Sequence, residues 1–126
     1  MMRYSEEDLQ AARELRKSGV NPRHVCFLGQ QAVEKAIKAL LIAYQIESPK
    51  SHDLEALVGI LPGGAMIRSR AADLVTLSEW AVEARYPGGW PEATDEDAKT
   101  AMKLAGEALA IILDDFTVAL AESEDQ

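Results

Sequence analysis

The longest unbroken helical pattern runs from Cys26 to Tyr44 and organises the reading of the rest. Advancing about 100° per residue, Val25, Leu28, Gly29, Ala32, Val33, Ala36, Ala39, Leu40 and Ala43 share one broad face. That face is rich in small residues, which lets neighbouring helices approach closely. The opposite side carries Phe27, Gln31, Glu34, Lys38 and Leu41, a mixture of apolar and polar groups. Such a helix is expected to be central, packed on its own domain and also on a partner.

The flanking segments repeat the helical period. Ser5 is expected to cap a first helix, with Asp8 three residues on and Tyr4 and Leu9 as a staple; Leu9, Ala12 and Leu15 form its buried stripe, and Ser18-Gly19 ends it. Asn21-Pro22 then starts the second helix, which runs to about Gln45 and makes a hairpin with the first. Ser51 is expected to cap a short third helix with Leu54, Leu57, Val58 and Leu61 inward, ended by Pro62-Gly63-Gly64. A fourth helix is expected from Met66 through Ile67, Ala71, Leu74, Leu77 or Ser78, and Ala81, up to the breaker Arg85-Tyr86-Pro87-Gly88-Gly89-Trp90-Pro91. The fifth opens with Thr94-Asp95-Glu96-Asp97 and keeps Ala98, Ala101, Met102, Ala105, Leu109, Ile112 and Phe116 in register to about Leu120. No stretch alternates as a strand. The expected fold is all-α: an up-and-down bundle of about five helices in one domain over 1–121, with 122–126 as a frayed acidic tail.

Composition narrows this picture. Within 126 residues, 48% are hydrophobic and only 6% aromatic, so Ala, Leu, Val and Ile must build the core. No apolar run approaches the ~20 residues a membrane helix needs, and no signal-peptide layout opens the chain; a cytoplasmic protein without membrane association is expected. The net charge of −8 is uneven. Residues 1–50 carry +2 and residues 51–126 carry −10, which opposes non-specific nucleic-acid binding.

Candidate chemistry is sparse. His24 and His52 lie on different elements without metal-ligand spacing, and the single Cys26 excludes an internal disulfide; no metal or other cofactor is expected. His52 beside Asp53 has the makings of a general base oriented by a carboxylate, or of a simple helix cap. Glu34 before Lys38 is the favoured i,i+4 order, sufficient for a solvated face. Phe27 and Leu41 on the same side point instead to a buried or interfacial role for Gln31 and Glu34. Arg85, Tyr86 and Trp90 concentrate a cation and two aromatics in a rigid loop, either a binding lip or a plug over helix ends.

Four motifs taken together, Phe27-x-x-Gln30-Gln31-Ala32-x-Glu34-Lys35-Ala36-x-Lys38-Ala39-Leu40-Leu41, Pro49-x-x-His52-Asp53-Leu54-x-x-Leu57, Ala84-Arg85-Tyr86-Pro87 and Thr94-x-x-x-Ala98, resemble the HEPN domain family (higher eukaryotes and prokaryotes nucleotide-binding). The resemblance implies a helical bundle that usually dimerises. Many members pair with a minimal nucleotidyltransferase in a toxin–antitoxin-like system. Many others are metal-independent endoribonucleases with an Arg-x4–6-His motif at the dimer interface. Arg85 matches the Arg, but Tyr-Pro-Gly-Gly-Trp-Pro follows it and no histidine occurs after His52. The chain thus resembles the branch without the ribonuclease motif. The implied function is a nucleotide- or partner-binding module, with Arg85, Tyr86, His52 and Lys38 as ligand-binding candidates and Phe27, Gln31, Glu34 and Leu41 as interface candidates. The alternatives are a divergent endoribonuclease using Arg85 and His52, with RNA as substrate, and a purely structural dimerisation module.

Overall fold

The computed structural model describes residues 2–19, 21–81 and 93–124. Five α-helices and no strand occur among them: α1 (Met2–Lys17), α2 (Pro22–Ala43), α3 (Leu54–Ile60), α4 (Ala71–Ser78) and α5 (Asp95–Glu124), with 3-10 turns at Met66–Arg70 and Glu79–Ala81. The all-α bundle expected from the periodicity is the fold. None of these helices is long and apolar enough to cross a membrane.

The first helix begins earlier than expected. Met2 opens α1, and Ser5, expected as the cap, is fully buried inside it. Asp8 does not close a capping box; its carboxylate takes a 2.6 Å bond from Lys35 Nζ and ties α1 to α2. Gly19, at φ 71°, ends α1 in the left-handed conformation that glycine adopts without a Cβ penalty. The Asn21 side chain then accepts from Arg23 N with Pro22 in the first turn, as read from the sequence.

Helix α2 is central. Its small face meets α5 closely: a Cβ on Gly29 would lie 3.6 Å from the Ala101 carbonyl oxygen. Ala39, Ile42 and Ala43 meet Phe116 and Leu120 further down, so α2 and α5 run side by side in the same direction. The other side of α2 is also covered. Leu41, expected on an outward face, is fully buried in the chain's own core, and Glu34 is buried too. The helix is packed on more than one side: α1 and α5 lie against it, as do α3, α4 and the 3-10 turn Glu79–Ala81, and His52 is bonded to its Gln30 and Glu34.

Three further boundaries differ from expectation. Asp53, not Ser51, caps α3: its Oδ1 accepts from Glu55 N and Ala56 N, while Ser51 Oγ accepts from Asp53 N. The fourth helix is not continuous. The Asp115 carboxylate holds the first-turn donors Met66 N and Ile67 N at 2.8 and 2.9 Å, which tightens that end into a 3-10 turn before α4 begins. Arg68 Nη1 donates to the carbonyls of Val58, Gly59 and Leu61, closing the C-terminal end of α3. At the other end of the chain, α5 continues through Glu122 to Glu124 instead of fraying after Leu120. Its start follows the sequence reading, with Thr94 Oγ1 accepting from Asp97 N and Asp97 Oδ2 accepting from Thr94 N.

Candidate functional site

The polar groups of α2 converge on one carboxylate. Positions 30, 34 and 38 are spaced i,i+4 and so stack along one side of the helix. Gln30 Nε2 donates to Glu34 Oε1 at 3.0 Å, and Lys38 Nζ donates to Glu34 Oε2 at 3.0 Å. The third partner comes from the loop before α3: His52 Nδ1 lies 2.9 Å from Glu34 Oε1. Gln30 Nε2 also reaches the His52 carbonyl at 3.3 Å, and Gln31 Nε2 donates to Gln30 Oε1 at 2.8 Å. Backbone and ring of His52 are thus both fixed to α2.

The electrostatics follow from that geometry. Burial raises the Glu34 pKa, since an isolated carboxylate loses hydration there. Hydrogen bonds from Gln30, His52 and Lys38, with the Lys38 charge, outweigh burial and hold the carboxyl below its ordinary range. Glu34 is therefore ionised at neutral pH and can only accept. The proton between it and His52 must sit on Nδ1. Donation through Nδ1 fixes the orientation of the ring. Its side chain is 64% exposed against 7% for Glu34, so a buried anion steers an accessible imidazole.

The imidazole borders an open groove of about 390 Å³ lined by His52, Asp53, Glu55, Val75, Ser78, Glu79 and Ala81. Three of those side chains are acids. Ser78 Oγ accepts from Leu54 N at 2.9 Å, joining the end of α4 to the start of α3.

Comparison with known proteins places the fold. The model of the HEPN domain matches residues 1–115. The chain belongs to the HEPN domain family. Two solved structures share its bundle. TT1696 from Thermus thermophilus has a TM-score of 0.76 at 24% identity, over 90% of this chain and 94% of that one. ST0689, described as an archaeal HEPN homologue, has a TM-score of 0.71 at 29% identity, over 91% of this chain and 93% of that one. No protein of curated function matches.

Within this HEPN domain, the sequence candidates separate. His52, Glu34 and Lys38 come together, whereas Arg85 and Tyr86 lie outside the described residues, as does Trp90. Lys38 is occupied by Glu34 in an ion pair that leaves its side chain 18% exposed. The carboxylate orienting His52 is Glu34, eighteen positions away in sequence, and not its neighbour Asp53, which is taken up in capping α3. Gln30 was missed as a site residue, although the Gln30–Glu34 spacing on a packed helix face was a usable signal. Cys26 is fully buried; burial first, and then the Asp97 charge, push its thiol up to about 12, which removes it as a nucleophile. No group of three His, Cys, Asp or Glu side chains with metal-site geometry occurs among the described residues.

Proposed function

We propose that this HEPN protein is a homodimeric, nucleotide- and partner-binding helical module that acts beside a minimal nucleotidyltransferase, with His52 at the heart of its ligand site. The observation carrying this reading is the 2.9 Å pair between buried Glu34 and exposed His52 at the edge of a groove. A buried carboxylate, two donors from its own helix and an oriented imidazole are more than an exposed helix face requires. The family relationship supplies the nucleotide and the partner enzyme as the classes to test. Titration calorimetry of the purified protein with ribonucleotides is expected to give a saturable heat that His52→Ala abolishes. Absence of heat with every ribonucleotide would remove the ligand. Co-purification with a nucleotidyltransferase encoded beside it tests the partner, and its failure at micromolar concentrations would leave only the ligand-binding role.

One observation favours a second reading, a divergent endoribonuclease. An imidazole with an ionised carboxylate on Nδ1 is laid out as a general base, and Arg85 would then hold the scissile phosphate through its guanidinium fork. RNA incubated with the protein in EDTA decides between the two. Cleavage abolished by both Arg85→Ala and His52→Ala supports the nuclease, and intact RNA excludes it.

A further inference from the structure

The hydrogen bonds around Gln30 run in one direction. Its side chain is fully buried, so both ends of the amide need partners. Nε2 lies 3.0 Å from Glu34 Oε1 and 3.3 Å from the His52 carbonyl oxygen. A carbonyl can only accept, and so can an ionised carboxylate, so the nitrogen must face both and Oε1 must turn the other way. There Oε1 needs a donor, and Gln31 Nε2 supplies it at 2.8 Å. That bond is unusual on a helix, where consecutive residues point about 100° apart and do not face each other. A glutamine at a part-exposed position can leave its amide to water; this one bends back across the helix to its neighbour.

We infer that Gln31 is a positioning residue for His52, acting through Gln30. The donor at position 31 sets which way the Gln30 amide points. That orientation holds the His52 carbonyl, and it holds the carboxylate oxygen that the His52 ring also meets. Without a donor at position 31, Gln30 Oε1 is left buried and unpaired, or the amide turns over and sets its oxygen against two acceptors. Either outcome loosens His52 from α2, backbone and ring together. The effect on a ligand rests on the nucleotide-binding reading above; the effect on the placement of His52 does not.

The ring itself reports the effect. Histidine labelled with nitrogen-15 and carbon-13 gives two sets of ring signals, from His52 and from His24. Gln31→Met keeps the length and helix preference of the side chain but removes the donor. It is expected to shift the His52 ring signals with the helical circular dichroism retained. Gln31→Lys, which restores a donor, is expected to bring them back towards the unaltered positions, and Gln31→Glu, an acceptor, to move them at least as far as Met does. In a Gln30→Leu background, Gln31→Met is expected to move His52 no further. His52 signals that Gln31→Met leaves in place overturn the inference, even if Lys and Glu shift them in opposite senses, since that pattern is plain charge. A lowered urea midpoint with unmoved ring signals overturns it too, and so does a Gln31→Met shift that persists without Gln30. Should Gln31→Met lose its helical spectrum, Gln31→Ala carries the same comparison. For any ribonucleotide that the unaltered protein binds, Gln31→Met is expected to weaken affinity about fivefold, the size of one lost hydrogen bond, and Gln31→Lys to retain it. If no ribonucleotide binds, the nucleotide reading falls and the ring signals still decide the role of Gln31. If one binds and Gln31→Met changes neither affinity nor ring signals, the role of Gln31 falls and the nucleotide reading stands.

Discussion

At the scale of single residues, Glu34 shows how a buried charge becomes an asset. Burial opposes its ionisation, yet three donors and the Lys38 charge reverse the balance and depress its pKa. A folded-state pKa below the unfolded value means that stabilisation is present above about pH 4.3, the ordinary glutamic acid value, and is lost as pH falls through the lower folded value. Glu34→Gln is therefore expected to cost about 1–3 kcal/mol at neutral pH, with the deficit shrinking once the medium is acidic enough to protonate Glu34. Urea denaturation of both proteins at neutral pH and near pH 3 measures this; an equal deficit at both would mean the charge contributes nothing. Gln45 is a different case. It takes φ 61° at the end of α2, where Gln45 N bonds the Ile42 carbonyl and Ile46 N the Leu41 carbonyl. That left-handed position favours glycine. Gln45→Gly is expected to raise stability by about 0.5–1 kcal/mol, read as a higher urea midpoint with unchanged slope.

At the scale of elements, what was legible in the sequence was what repeats locally. Asn21-Pro22, Gly19 and the Thr94–Asp97 box fixed their boundaries because a cap is a contact between residues two to four apart. Ser5 misled because a serine followed by acids reads the same whether it begins a helix or is buried within one. Leu41 misled for a related reason: periodicity gives a face, and cannot say that a later segment will cover it. The site was legible in its parts and not in its pairing. His52 was singled out beside Asp53, but its partner lies on α2, and only the return of the 46–52 segment along that helix joins them. Asp115 was invisible in the same way. It sits on α5 and bonds Met66 N and Ile67 N, forty-nine and forty-eight residues back in the chain. Asp115→Ala strips two charge-assisted bonds and leaves those amides unpaired, so a loss of about 3 kcal/mol is expected. Hydrogen exchange should localise the loosening to the segment from Met66 to Arg70. Protection there equal to that of the unaltered chain would show that the 3-10 turn holds itself.

At the scale of the whole molecule, the question is which surface a second copy would cover. Leu41 and Glu34 are taken up by the chain's own packing, so they are withdrawn from the expected interface face; Phe27 and Gln31 stay part-exposed. An apolar opening lies elsewhere, where α2 and α5 run side by side. Ile42 is 58% exposed and Leu120 45%, flanking a hollow of about 250 Å³ lined also by Ala39, Ala43 and Phe116. Knob and hollow on one patch are what a two-fold contact requires, since each copy must offer both. Charge favours the same arrangement. α2 carries three Lys or Arg against one Glu, while α5 carries eight acids against two lysines. A two-fold axis along the helices lays each α2 on the partner's α5 and brings opposite signs together. Light scattering of the purified protein is therefore expected to give twice the 13.7 kDa chain mass. Ile42→Asp and Leu120→Asp should each halve that mass with helicity intact, because both side chains already face water in the single chain. Phe27→Asp should leave it unchanged. The converse pattern, a monomer from Phe27→Asp alone, would move the contact to the Phe27–Gln31 face, and a single-chain mass for the unaltered protein at tens of micromolar would rule out the dimer itself.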